Sequence, residues 1–194
     1  MNLTFRKLGA DEIECRIGQI KETGLSLLLY KDARCDMNIL DEAVGPLGWK
    51  RKHTRDNKNC IVSIYDKDKK EWVSKEDTGT ESYTEAQKGL ASDSFKRACT
   101  NWGVGRELYS APFIWISNTK CNIQQFKKTD GKTGFKCNDG FEVAKITYKK
   151  NGTIDGLCIL NTRTQKVVFM QVPVEKPDVS DSKKMIDDHF KGEI

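Results

Sequence analysis

The sequence has no long apolar stretch, few histidines and no paired cysteine motif. No apolar run reaches the roughly 18 residues of a membrane-spanning helix, and the first residues, MNLTFRKLGADEIE, lack the apolar core of a secretory signal. The seven cysteines are widely spaced without a C-x-x-C, and His53 and His189 are isolated. These absences argue against a membrane protein and against a zinc site or other metal centre. We therefore expect a cytoplasmic protein with reduced thiols.

A nucleotide-binding P-loop is also missing, because G-x-x-x-x-G-K-[ST] does not occur in the 194 residues. No cofactor is expected. What the chain does have is a basic excess of +5, from 33 Lys and Arg against 28 Asp and Glu. The last 22 residues hold six acids and four bases, so residues 1–172 carry +7. This balance suits a polyanionic partner without requiring one.

Apolar patterning predicts an α+β fold. One helix begins after Asp32 and ends at Gly45-Pro46, and a long helix begins near Ser82. The three strands between these helices should form an antiparallel meander, with the long helix packed across one face of the sheet. The predicted strands are 12–20, 24–30, 49–55, 59–65, 72–78, 141–148, 154–160 and 166–171.

We expect one folded domain followed by a tail. Residues 1–118 form the predicted core, and residues 119–172 form a loop and a β-strand extension of the same domain. The segment up to Gly140 has a loop composition and should be mobile, whereas Asn151-Gly152 predicts a hairpin turn. Residues 173–194 are polar and interrupted by proline, which predicts a flexible tail with at most a short helix.

The segment from Ser82 to Gly105 predicts an amphipathic helix that presents a basic pair. Ser82 and Thr84 can each cap its N-terminus. At about 100° per residue, Lys96 and Arg97 lie well away from the apolar stripe and are free to meet an anion. The alternative is that this pair belongs to an ordinary solvated face. The stripe consists of Ala91, Phe95, Ala98, Cys99 and Trp102.

Three blocks along the chain together resemble one family. They are LDEAVGPLGW (40–49), EDTGTE (76–81) and ASDSFKRACTNWG (91–103). Their order and spacing are similar to the single-strand DNA annealing domain of the Rad52 family, with a closer likeness to phage relatives of the Sak type. The resemblance covers about residues 10–116. The residues that carry it are Glu42, Gly45, Trp49, Asp77, Gly79, Asp93, Lys96, Arg97, Ala98, Trp102 and Gly103.

The resemblance implies a β-β-β-α core, subunits assembled into a ring, and a basic groove that holds DNA phosphates while the bases face outward. Lys96 and Arg97 match the cations of that groove. The eukaryotic pattern has a third basic residue where this chain has Thr100, and Arg106 is a candidate to replace it. The family's first-helix arginine corresponds to Arg34 after a one-residue shift.

The implied function is ATP-independent binding and annealing of single-stranded DNA in homologous recombination, without enzymatic catalysis. The implied partners are single-stranded DNA and further copies of the chain, in a ring or short helix. A single-strand-binding protein or a recombinase is a further candidate partner. A phage origin would place the protein in the cytoplasm of a bacterial host.

Other basic residues are candidates for additional DNA contacts. Lys50 and Lys52 share one face of a predicted strand, where a solvated edge is favoured over DNA contact. Lys88 is a further candidate on the long helix. Trp49 and Trp102 lie next to helix ends, which favours core packing over base stacking. Four lysines of the predicted loop could supply a second DNA path, although ordinary solvation is favoured: Lys127, Lys128, Lys132 and Lys136.

Two other function classes fit parts of the sequence. A metal-dependent nuclease would use acidic residues near one end of the sheet together with Lys88, although DKDKKE is better explained as a hairpin turn. An RNA-binding module would share the α+β layout. Magnesium-dependent cleavage would identify the first, and relative affinities for single-stranded DNA, single-stranded RNA and duplexes would identify the second. The nuclease candidates are Asp66, Asp68, Glu76, Asp77 and Glu81.

Overall fold

The computed structural model of the chain describes residues 3–80 and 86–173, with the backbone alone for 86–88. As predicted, the fold is α+β with antiparallel sheets. The helices are α1 (Ala33–Val44) and α2 (Ala86–Trp102), and short 3-10 turns cover Ala10–Glu12 and Arg106–Ser110. The strands are β1 (Ile13–Lys21), β2 (Gly24–Lys31), β3 (Trp49–Thr54), β4 (Asn59–Asp66), β5 (Glu71–Thr78), β6 (Ile114–Ser117), β7 (Ile123–Lys127), β8 (Thr133–Cys137), β9 (Phe141–Tyr148), β10 (Ile154–Asn161) and β11 (Lys166–Gln171).

The largest sheet joins both ends of the described chain. Its six strands follow the order β11-β10-β9-β1-β2-β6, with β1 and β9 paired through Glu14 and Glu142. Strand β6 pairs with β2 only as far as the Leu27–Ile114 pair, whereas β1 pairs with β2 up to Lys31. Within the described residues, the last four residues of β2 therefore have one backbone edge without a neighbouring strand.

The predicted meander is confirmed as a three-stranded sheet in the order β3-β4-β5. Helix α2 lies against β4 and β5. Gly79, directly after β5, explains how closely they approach: a Cβ there would lie 2.6 Å from the Ser94 backbone nitrogen. Only glycine permits that distance. The predicted caps Ser82 and Thr84 lie outside the described residues.

Helix α1 has the predicted ends. The Asp32 side chain accepts a hydrogen bond from the Arg34 backbone N–H at 2.8 Å, and Gly45 at the C-terminus has a φ of +78°. The inward side of α1 meets α2 and β3. One apolar core runs between α1, α2 and the two larger sheets, and its largest fully buried residues include Leu25, Ile39, Leu40, Val62, Ile64, Phe95, Ile114, Ile116, Leu157 and Ile159.

Both tryptophans beside helix ends pack inward, as predicted. Trp49 stacks on Phe95 with ring centroids 5.9 Å apart and donates from Nε1 to Asp41. Trp102 donates from Nε1 to the Val62 carbonyl at 3.0 Å. These indole N–H groups are satisfied within the protein, so the two rings serve the scaffold.

The predicted loop between residue 119 and Gly140 is wrong in its central part, because β7 and β8 form an antiparallel hairpin there. Its strands carry polar residues on both faces, and therefore lack the alternation by which a half-buried strand is recognised. The Lys128 N–H donates to the Lys132 carbonyl at the turn. Within the described part of the chain, no helix is both long and apolar enough to cross a membrane.

Candidate nucleic-acid interface

Helix α2 presents its basic pair on the side away from the core. Phe95, Ala98 and Cys99 are fully buried, whereas Lys96 is half-buried and the Arg97 side chain is 44% exposed. The predicted separation of the cations from this apolar stripe is therefore confirmed.

A groove of about 420 Å³ runs between this side of α2 and the open end of β2. Lys96, Arg97 and Thr100 form one wall. The last residues of β2 form the other, since no strand of the described chain pairs with them on that side. The 3-10 turn after α2 also lines the groove, through Leu108 and Tyr109. The residues that line it are Leu27, Leu28, Leu29, Tyr30, Lys31, Asp93, Lys96, Arg97, Thr100, Gly105, Leu108, Tyr109, Ala111, Pro112 and Ile114.

A buried ion pair lies beneath the groove. Lys31 is 6% exposed, and its ammonium donates to the Asp36 carboxylate, which is fully buried. Burial raises the pKa of Asp36 to about 6, against the opposing effects of Lys31 and Lys96. A Cβ on Gly105 would overlap the Lys31 side chain, so glycine makes room for this lysine.

The charge of Lys96 affects two carboxylates at the start of α1, those of Asp32 and Asp36. It lowers the pKa of Asp32, after the larger effect of hydrogen bonds from Arg34, and it also acts on Asp36. With residues 3–80 and 89–173, the Lys96 ammonium forms no ion pair within 4.0 Å. The half-buried ammonium is thus held near two carboxylates without being neutralised by direct contact.

Arg97 is oriented by one contact to β5. Its Nε donates to Asp77 at 3.2 Å, and the second oxygen of Asp77 accepts from Asn101 at 3.2 Å. With the described residues, its two Nη groups make no hydrogen bond. A guanidinium held through Nε keeps its outer edge available for a bidentate contact with phosphate.

Arg34 and Arg106 flank the groove but are already engaged. Arg34 is exposed and donates to Asp32 from both Nε and Nη2, the latter at 2.7 Å. Arg106 donates to the carbonyls of Thr100 and Asn101 at the end of α2, which also accept from the Gly103 N–H and the Lys75 ammonium respectively. Its guanidinium caps the helix, so a DNA phosphate would compete with these carbonyls for its N–H groups.

The predicted cations of β3 are not brought together with this pair. Arg51 lies over the Phe95 ring and His53 contacts Ser94, so these alternate residues of β3 face α2. Lys50 and Lys52 consequently lie on the opposite face of the sheet, and Lys50 stacks on Trp72 at 4.1 Å. The side chain of Lys88 lies outside the described residues.

The acidic residues weighed for a nuclease separate into two places. Asp66 accepts backbone hydrogen bonds from Asp68 and Lys69 at the β4–β5 turn, which confirms that DKDKKE is a hairpin turn. Glu76 and Asp77 lie at the other end of β5, where Glu76 accepts from Asn59. Glu81 lies outside the described residues. Among residues that the structure describes, no cluster of three or more His, Cys, Asp or Glu could hold a metal.

Sequence patterns do not identify three residues in or beneath the groove. Lys31 ends the otherwise apolar segment GLSLLLYK, and Asp36 lies next to Cys35 on the buried side of α1. A charged residue at a core-facing position is the signal that identifies both. Tyr109 lies in the short turn RELYS, which carries no periodic signal.

The sequence profile of the Rad52/22 family double-strand break repair proteins matches residues 3–132, about two thirds of the 194 residues. The chain belongs to this family. The predicted family is therefore correct, and the match extends beyond both ends of the segment in which the resemblance was found. No curated protein and no solved structure matches the chain.

Membership of the Rad52/22 family assigns the chain a general role. Proteins of this family act in double-strand break repair, through DNA recombination and the annealing of DNA strands. They bind and anneal DNA rather than catalyse a covalent reaction. The helix that carries Lys96 and Arg97, and all the residues that line the groove, fall within the matched residues.

Proposed function

We propose that the chain binds single-stranded DNA along this groove and anneals complementary strands without ATP. The observation that carries the proposal is the basic pair Lys96 and Arg97 on one wall of an open groove. Both cations approach the surface. Lys96 forms no ion pair with the described residues, and the ion pair of Arg97 with Asp77 uses only Nε of a side chain that is 44% exposed. A β-β-β-α core, made of β3, β4, β5 and α2, holds this wall in place.

The chemistry of annealing explains why such a site is suited to it. One strand must be held by its phosphates while the Watson–Crick edges remain open to a complement. Lys96 and Arg97 recognise charge rather than sequence, and binding to them releases counterions. No nucleotide hydrolysis is needed, because base pairing supplies the free energy.

One subunit offers too few cations to hold a flexible strand tightly. We propose that the chain works as a ring or short helical oligomer, in which equivalent grooves contact one strand in succession. After the first contact, each further contact is effectively intramolecular, so weak contacts combine into high avidity.

We place this activity in the cytoplasm of a bacterial cell. The seven thiols are unpaired, which suits a reducing compartment. A single-strand-binding protein or a recombinase would act on the same DNA and is the expected protein partner.

The proposal is tested by the double variant Lys96→Ala/Arg97→Ala. It should lose most of its affinity for a fluorescent oligo-dT in anisotropy titrations. If each cation contacts one phosphate, the log–log salt slope should also fall by about 1.4 per engaged subunit, at about 0.7 per phosphate. Annealing of complementary oligonucleotides, followed by energy transfer between dyes, should slow in parallel.

A matched control removes two lysines elsewhere. Lys67→Ala/Lys69→Ala deletes the same charge from the exposed β4–β5 turn and should bind and anneal normally. Normal annealing by a folded Lys96→Ala/Arg97→Ala protein would rule out the proposed site. Tighter binding of single-stranded RNA than of single-stranded DNA would instead support an RNA-binding module.

A further inference from the structure

An exposed aromatic ring lies in the same groove as the basic pair. Tyr109 is 74% exposed and lines the groove together with Lys96 and Arg97. An aromatic ring left in solvent contributes little burial energy to the fold. A large apolar ring in a basic groove is better explained by a ligand than by packing.

The turn that carries Tyr109 is held in place by hydrogen bonds of the residues before and after it. Glu107 is 4% exposed and accepts from the Leu8 N–H at 2.8 Å. Ser110 donates to the Glu107 carbonyl at 2.6 Å and accepts from the Ile154 N–H at 2.8 Å. Arg106 is fixed to the end of α2 through two carbonyls. The backbone under Tyr109 is thus positioned while its ring faces solvent.

A second aromatic residue lines the opposite wall. Tyr30, at the open end of β2, is 37% exposed, and the Arg16 guanidinium lies 4.8 Å from its ring centroid. Arg16 already covers one face of that ring. Tyr109 has no ring or cation partner among the described residues, so it is the freer of the two for a ligand.

Stacking is compatible with annealing because it uses the face of a base and not its edge. Proteins that bind single strands without sequence preference combine cations for the phosphates with aromatic rings for the bases. A base stacked on a ring keeps its Watson–Crick donors and acceptors open to the complementary strand.

We propose that Tyr109 stacks on a base of the bound strand while Lys96 and Arg97 hold the adjacent phosphates. This inference rests on the proposed function, since it assumes that the strand occupies the groove. It adds a base contact to a site otherwise defined only by charge.

The test compares Tyr109→Ala and Tyr109→Phe on two ligands, oligo-dT and an abasic oligonucleotide of the same length. Tyr109→Ala should weaken oligo-dT binding by roughly 5- to 150-fold, the range expected for loss of one base stack. Its affinity for the abasic strand and its salt slope should stay unchanged. Tyr109→Phe should bind both ligands as the parent protein does, because phenylalanine retains the ring.

Phe126→Ala is the matched control, since it removes another exposed aromatic ring from the β7–β8 hairpin, outside the groove. It should leave both affinities unchanged. Equal weakening of oligo-dT and abasic binding by Tyr109→Ala would overturn the inference. A Tyr109→Phe protein as weak as Tyr109→Ala would also overturn it, because the hydroxyl would then be the contact.

Light scattering distinguishes a subunit contact from a base contact. If Tyr109→Ala changes the oligomeric mass, the ring packs against another copy and the inference is wrong. If Tyr109→Ala binds normally while Lys96→Ala/Arg97→Ala does not, the inference fails and the proposed function stands. If the parent protein binds no single-stranded DNA, both fail.

Discussion

At the scale of single residues, most positions that carry the family resemblance support the scaffold. Gly79 lets β5 approach the α2 backbone, Trp49 stacks on Phe95, and the Asp93 carboxylate accepts from the Thr80 N–H at 2.9 Å. Lys96 is the clearest exception, since its ammonium faces the groove rather than a partner in the described chain. The motif thus combines residues that build the groove with residues that supply its charge.

The buried pair beneath the groove gives a residue-scale prediction. Lys31→Met leaves the fully buried Asp36 carboxylate without its counterion, and should lower the free energy of unfolding by about 3–5 kcal/mol. The double variant Lys31→Met/Asp36→Leu should recover most of this loss, because no buried charge remains. Urea denaturation followed by tryptophan fluorescence measures both.

The double variant also serves as the control for folding. A single variant as stable as the parent protein would show that the pair is dispensable. A double variant less stable than Lys31→Met would show that these positions require polar groups.

At the scale of elements, Asp139 joins three segments that are distant in sequence. Its carboxylate accepts from the Asn122 N–H and the Asn161 side-chain amide, both at 2.8 Å, and from Arg163 Nε at 2.6 Å. The Arg163 hydrogen bond is the largest influence and holds the pKa of Asp139 at about 2, below its ordinary value of 3.8. This cluster ties the start of the β7–β8 hairpin to the end of β10.

The low pKa of Asp139 predicts a pH dependence. Because the folded-state pKa lies below the unfolded value, the carboxylate stabilises the fold fully above about pH 4, and its contribution is lost as the pH falls from about 4 to about 2. Asp139→Asn should therefore lose less stability than the parent protein over that interval. Urea denaturation at a series of pH values measures the difference. An equal fall in the free energy of unfolding for both proteins below about pH 4 would contradict the prediction.

At the scale of the whole molecule, the proposed function depends on how many grooves act together. A ring or helix needs two different complementary surfaces on each subunit, because its contacts are head to tail. The groove itself supplies only weak contacts, so assembly and tight binding should be coupled.

Assembly gives the whole-molecule prediction. Light scattering with and without oligo-dT should give a protein mass several times that of one chain. The affinity for oligo-dT should rise steeply with oligonucleotide length until one strand spans neighbouring grooves. The Lys96→Ala/Arg97→Ala protein should assemble normally, because its change lies in the groove. A monomer in both conditions would remove the basis for avidity.

Local patterns in the sequence were sufficient for most of the elements. Asp32 and Gly45 delimit α1 through capping, the meander follows from strand alternation and a charged turn, and Lys96 and Arg97 lie outside the apolar stripe because a helix has a fixed period. The family was identified separately, from three sequence blocks whose order and spacing resemble it, and the family match over residues 3–132 confirms that identification.

The tertiary structure decided what no local pattern encodes. Pairing of β1 with β9, the groove between β2 and α2, and the meeting of Lys31 with Asp36 all depend on contacts between distant segments. The β7–β8 hairpin was missed because its strands are polar on both faces. Periodicity records which side of an element is buried, whereas packing of the whole chain determines which elements meet there.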